Sequence, residues 1–85
     1  MPIEILYFAG IREAIGLSAE TVSPPADVVT IADLVGWLAA RGGGHAEAFA
    51  DRARIRAAIG SDFADPGTPI AGAREIALFP PVTGG

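Results

Sequence analysis

Thr30-Ile31-Ala32-Asp33-Leu34-Val35-Gly36-Trp37-Leu38 marks the main helix of the chain. Ile31, Leu34, Val35 and Leu38 recur at helical spacing, which gathers the large aliphatic side chains on one face. Thr30 stands where an N-cap belongs, and Asp33 puts a negative charge in the first turn, where the helix dipole favours it. Gly42-Gly43-Gly44 reads as the stop, and Ala46 to Asp51 is compatible with a further helical turn. Trp37, beside Leu34 and Leu38, reads as core or boundary packing, and His45, next to the glycine run, as a loop residue.

Working outward from this helix, both flanks read as strands. On the N-terminal side, Ile3-Glu4-Ile5-Leu6-Tyr7-Phe8 is rich in β-branched and aromatic residues. Ala9 to Ile15 then suits a short helix stopped by Gly16, and Leu17 to Val22 a second strand ended by Ser23-Pro24-Pro25, whose prolines remove backbone donors. On the C-terminal side, Arg54 to Ile59 alternates polar and apolar like a half-buried strand. Gly60-Ser61 predicts a turn into a short segment around Phe63, Asp65-Pro66-Gly67 another turn, and Glu75 to Phe79 the last strand. Strand, short helix, strand, main helix and further strands predict an α+β domain, with the main helix packed on one face of a mixed sheet. The order is compatible with a β-grasp.

Strand parity sharpens the expectation. If Ile3, Ile5, Tyr7, Ile76 and Leu78 face the helix, then Glu4, Leu6, Phe8, Glu75, Ala77 and Phe79 face away from it. Phe8 and Phe79, joined by Phe63 if the three form one patch, then offer a docking surface on the open side; ordinary exposure or cover by a loop is the alternative. Arg54 and Arg56 read as a solvated strand face. Arg12 either pairs with a partner's acid or completes a helical surface.

Composition excludes several classes of function. With 85 residues, a net charge of −4 and a pI near 4.6, the chain lacks the basic patch that nucleic acid or an anionic membrane demands. No run of 18 apolar residues is long enough to span a bilayer, and Met1-Pro2-Ile3-Glu4 lacks the basic start of a signal peptide, so the cytoplasm is the expected compartment. There is no cysteine, hence no thiolate nucleophile, and His45 is the single histidine, so a His-based triad or a multi-histidine metal site cannot be assembled from one chain. No bound cofactor or metal is expected.

The C-terminus carries the chemistry instead. Pro80-Pro81-Val82-Thr83-Gly84-Gly85 contains no charged side chain, so its only charge is the terminal carboxylate. Pro80-Pro81 favours an extended backbone, and a tail of six residues reaches roughly 18 Å at about 3.1 Å per residue. Gly84 and Gly85 have no Cβ, so a narrow channel in another protein can admit them. The expected division is a folded domain over residues 1–79 and an extended reactive tail over 80–85.

Phe79-Pro80-Pro81-Val82-Thr83-Gly84-Gly85 resembles the end of the small, sulfur-carrier subunits of molybdopterin synthase, the MoaD-like family. Leu6-Tyr7-Phe8-Ala9-Gly10-Ile11-Arg12-Glu13 is similar to the opening strand and helix start of the same family, and the length agrees from end to end. The resemblance implies a ubiquitin-like β-grasp fold and a carrier cycle. An adenylating, E1-like partner activates the Gly85 carboxylate with ATP, a sulfur donor replaces the adenylate, and the thiocarboxylate enters the large subunit of the synthase. There it supplies sulfur to cyclic pyranopterin monophosphate, with the catalytic side chains expected on the large subunit. Gly85 would bear the adenylate and the thiocarboxylate, Gly84 would give the tail access, and Phe8, Phe63, Phe79, Arg12, Pro80, Pro81, Val82 and Thr83 would meet the partner. The chain has no Gly-rich Lys-Ser/Thr phosphate loop for ATP, so activation must come from outside. It departs from the family pattern at Gly60, where asparagine is common, and at Ala73-Arg74, where Gly-Asp is common. A sulfur carrier for a thiazole-type pathway and a ubiquitin-like protein modifier are the alternative classes.

Overall fold

The computed structural model describes residues 2–81. β1 (Ile3–Tyr7) is followed by α1 (Ala9–Ile15), β2 (Ala19–Val22), α2 (Ile31–Ala39), α3 (Gly43–Ala48), a 3-10 turn at Arg52–Arg54, β3 (Arg56–Ile59), β4 (Asp62–Ala64) and β5 (Glu75–Phe79). The strands form one five-stranded sheet in the order β2-β1-β5-β3-β4. β1 and β5 run parallel and every other pair is antiparallel, so the first and last strands of the chain lie side by side at the centre.

The expected parity holds. Ile3, Ile5 and Tyr7 of β1 and Ile76 and Leu78 of β5 are buried, and they pack with Ile31, Leu34, Val35 and Leu38 of α2 in one core. Burying a side chain of this kind stabilises by roughly 1.5–3 kcal/mol relative to leaving it in water. Trp37 lies partly buried against that core. α2 opens with a reciprocal cap: the Asp33 amide donates to Thr30 Oγ1 at 3.2 Å, and the Asp33 carboxylate accepts from the Val29 and Thr30 amides at 3.0 and 3.2 Å. Those two backbone donors hold the Asp33 carboxyl below its ordinary range.

The structure departs from the sequence reading where packing overrides local signals. α2 ends at Ala39, before the glycine run, and Gly43-Gly44 begin α3 instead of ending a helix. A Cβ on Gly44 would run into the Ala14 carbonyl oxygen and stand 3.0 Å from the Ile15 Cα, so this glycine serves the close approach of α3 to α1. Phe49, just beyond α3, is fully buried and closes the core beside Tyr7, with ring centroids 6.3 Å apart. The first strand ends at Tyr7 because Phe8 becomes the N-cap of α1, and the second begins at Ala19 rather than Leu17. Arg54 belongs to the 3-10 turn, so β3 starts only at Arg56.

Both departures from the family pattern are accommodated locally. Gly60 takes φ +61 in the β3–β4 turn, a left-handed conformation that glycine and asparagine adopt most readily. Ahead of β5 the left-handed residue is Gly72, at φ +80, and the Ala73 amide closes that turn on the Ile70 carbonyl at 3.0 Å.

Candidate functional site

The sheet face away from α2 is apolar across its whole width. Register places Ala19, Leu6, Ala77, Ala58 and Phe63 in a single row that crosses all five strands. Phe63 is 84% exposed, and the four others are half-buried. Toward the C-terminal end of β5 the next row holds Phe79, paired with Arg56 on β3. Phe8 continues β1 alongside it: the Tyr7–Leu78 pair precedes it in register, and the Phe8 amide donates to the Leu78 carbonyl at 3.2 Å. Phe63 and Phe79 touch, with ring centroids 6.1 Å apart. The three phenylalanines singled out from the sequence therefore sit on one open face, at the end where the chain leaves β5.

Pro80 and Pro81 follow Phe79 directly and are half-buried. Pro80 lines a cleft of about 360 Å³ whose other walls include Gly10, Ile11 and Ala14 of α1, Ala48 of α3, and Arg54. A larger cleft of about 450 Å³ lies at the opposite end of the sheet, beside Ile3 and Arg74, remote from the root of the tail. Arg12 is exposed one turn along α1 from Phe8 and has no carboxylate within 4 Å among the described residues. Val82, Thr83, Gly84 and Gly85 lie outside the described residues.

One polar constellation was not foreseen from the sequence. Glu20, half-buried on β2, accepts from the Tyr7 hydroxyl at 2.7 Å and from Arg41 Nη1 at 2.8 Å, and its Oε2 lies 2.6 Å from His45 Nε2. Burial alone would raise its pKa, but the hydrogen bonds from His45, Tyr7 and Arg41 outweigh it and bring the carboxyl from 4.5 to about 2. Burial and the adjacent carboxylate push the Tyr7 hydroxyl upward. His45 is thus a helical residue tied to the sheet, not a loop residue. The constellation fastens α3 to β1 and β2. Its members come from four separate segments, so no local pattern announces it.

The family model of the ThiS family matches residues 5–85, almost the entire chain. The chain belongs to the ThiS family. It is 36% identical over 83 residues to the molybdopterin synthase sulfur carrier subunit of Escherichia coli K12, covering 98% of this chain and 99% of that one. Among solved structures it is similar to SAMP1 from Haloferax volcanii, with a TM-score of 0.72, 26% identity and full coverage of both chains. A Pyrococcus furiosus chain assigned as molybdopterin converting factor subunit 1 shares the fold at a TM-score of 0.76 and 20% identity, with 96% and 99% of the two chains covered. The ThiS-family chain is accordingly a ubiquitin-like β-grasp domain, with the mixed sheet and main helix expected of it. Among its described residues no helix is long and apolar enough to cross a membrane.

Proposed function

We propose that this ThiS-family chain is the sulfur-carrier subunit of a molybdopterin synthase, with the Gly85 carboxylate as its working group. The observation that carries the reading is the full-length likeness to the Escherichia coli carrier subunit, coupled with an uncharged Pro-Pro-Val-Thr-Gly-Gly terminus that begins beside an open apolar face. In the proposed cycle the carboxylate oxygen attacks the α-phosphate of ATP on an activating partner, and pyrophosphate leaves. A sulfur nucleophile delivered by a donor then displaces AMP from the acyl carbon, and the thiocarboxylate is carried into the large subunit. The thiocarboxylate sulfur bonds to a carbon of cyclic pyranopterin monophosphate, and water then cleaves the acyl–sulfur bond, leaving sulfur on the pterin and regenerating the carboxylate.

Each part of the chain has a physical task in this scheme. Phe8, Phe63 and Phe79 supply desolvated contact area against the large subunit, as aromatic anchors do at interfaces. Pro80 and Pro81 stiffen the start of the tail, so little entropy is left to lose there on binding. Val82 and Thr83 extend it, and Gly84 and Gly85 pass where a side chain would not. The test is intact-mass measurement after incubation with an activating enzyme, ATP and a sulfur donor. One oxygen exchanged for sulfur at the C-terminus is the expected result, and an unchanged mass with an enzyme shown to load other carriers rejects the reading.

Likeness to SAMP1, a small archaeal modifier protein in its second solved structure, favours one other reading, attachment of Gly85 to lysines of other proteins. Conjugates of higher mass in cells expressing a tagged chain, lost on deletion of Gly85, would support it.

A further inference from the structure

The open sheet face is polarised along its strands. Arg56 stands at the end where the tail departs, as the register partner of Phe79. At the opposite end Glu4 and Glu75, both exposed, are register partners on the adjacent parallel strands β1 and β5. Like charges side by side on neighbouring strands work against the sheet. Among the described residues neither glutamate has a basic group within 4 Å, and Arg56 has no acidic one. One guanidinium nitrogen of Arg56 donates to the Ala53 and Ile55 carbonyls at 2.8 and 3.2 Å, and its remaining donors have no protein partner among these residues. Four residue steps along β5 separate the two charged rows, about 13 Å of extended strand, and the apolar row fills the space between them.

A surface with this arrangement is complementary to itself. A two-fold axis lying in the interface and running across the strands turns the arginine end of one copy over the glutamate end of the other, twice, and lays the apolar rows together. We infer that the open face pairs with a second copy of this chain, Arg56 of each copy meeting Glu4 and Glu75 of the other. Five strands by about five residues give a footprint of roughly 24 by 16 Å, or roughly 400 Å² per copy. Twice that area is below the about 1,200–2,000 Å² of stable complexes, so the pairing is weak and exchanges readily. The consequence for the carrier cycle rests on the proposed docking of the large subunit at this face: the second copy covers the phenylalanines until that partner displaces it.

The test is sedimentation equilibrium of the full chain from about 10 µM to about 1 mM, where a pairing of this size is expected to show as a rising average mass. Arg56→Glu, and separately Glu4→Arg with Glu75→Arg, should each remain monomeric across that range. An equimolar mixture of the two reversed chains should associate, because every contact of the mixed pair then joins opposite charges. Phe63→Ser, at an 84% exposed position, should weaken the wild-type association at least about tenfold without a charge change. A wild type monomeric at the highest concentration, an Arg56→Glu chain that associates like wild type, or a mixture no more associated than its components would each overturn the inference. Self-association together with no binding to a synthase large subunit would leave the inference standing and reject the carrier reading; the reverse pair of results would do the opposite.

Discussion

Phe63 and Phe79 meet with ring centroids 6.1 Å apart and planes tilted by 55°, although β3 runs between their two strands. Phe63 is the register partner of Ala58 and Phe79 that of Arg56, so the two rings meet on a diagonal across β3. The pairing of the edge hairpin β3–β4 with β5 thus gives the outer face one aromatic patch instead of two isolated rings.

If that patch docks the large subunit, changing Phe8, Phe63 or Phe79 to Asp should weaken binding by about 2 kcal/mol or more at each true anchor. Thermal stability should hardly change for Phe63→Asp, since the side chain is almost wholly exposed in the free domain. Titration calorimetry against the large subunit checks the first part and a melting curve the second. Unchanged affinity in all three variants rejects the patch as the docking surface.

If the Gly85 carboxylate is the working group, as proposed, it has to reach a reacting centre, and its position matters more than its contact area. Deleting Gly85, or appending one residue after it, should abolish sulfur transfer, because a displacement of about 1 Å can already cost a hundredfold in rate. A bulky residue in place of Gly84 should act in the same direction by blocking entry. Binding of the large subunit should largely persist in all three. Product yield from pre-loaded thiocarboxylate, compared with calorimetric affinity, separates the two effects, and full yield from a lengthened chain would defeat the mechanism.

Glu20 makes the acid stability of the domain predictable. Its carboxyl is held at about 2 in the folded protein against 4.5 ordinarily. A group with a depressed folded-state pKa contributes stability that is fully present above 4.5 and is lost as the pH falls toward 2. Melting temperature should therefore drop through that window. Glu20→Gln should flatten the drop while lowering stability at neutral pH, where the Tyr7 hydroxyl, Arg41 and His45 lose a charged acceptor. A hydrogen bond to a charged acceptor contributes about 1.5–3 kcal/mol against about 0.5–1.5 for a neutral one, so the loss is about 1 kcal/mol or more. A wild-type melting profile that is flat between pH 4.5 and 2 would show that the constellation contributes nothing.

Gly44 and Thr30 test two different origins of helix stability. Gly44→Ala should destabilise the domain by about 2 kcal/mol or more, because the new Cβ collides with backbone of α1 that cannot move aside freely. Thr30→Ala should cost about 1 kcal/mol by removing the oxygen that caps the Asp33 amide. Urea denaturation of both variants reads the difference. A neutral Gly44→Ala would mean that α3 packs less closely on α1 than described.

Much of the fold was legible in the chain because the deciding signals are local. The α2 face, its Thr30–Asp33 cap, the alternation in β1 and the exact span of β5 each arise within a few residues, from side-chain periodicity and hydrogen bonds between near neighbours. The open aromatic face was half legible: parity put Phe8 and Phe79 on the side away from α2, yet nothing local could show that Phe63 reaches Phe79.

What the sequence by itself determined is the set of elements, the helix that covers one side of the sheet, and an uncharged Pro-Pro-Val-Thr-Gly-Gly segment after the last strand. The tertiary structure alone decided which distant residues meet. The strand order β2-β1-β5-β3-β4 brings Leu6, Ala77, Ala58 and Phe63 into one row and Glu4 beside Glu75. Packing of α3 makes Gly44 a spacer, His45 a partner of Glu20, and Phe49 a core residue. The physical reason is the range of the forces involved. Backbone propensity, capping and periodicity act between neighbours in the chain, whereas burial, register and charge pairing act between neighbours in space, and folding alone makes those neighbours.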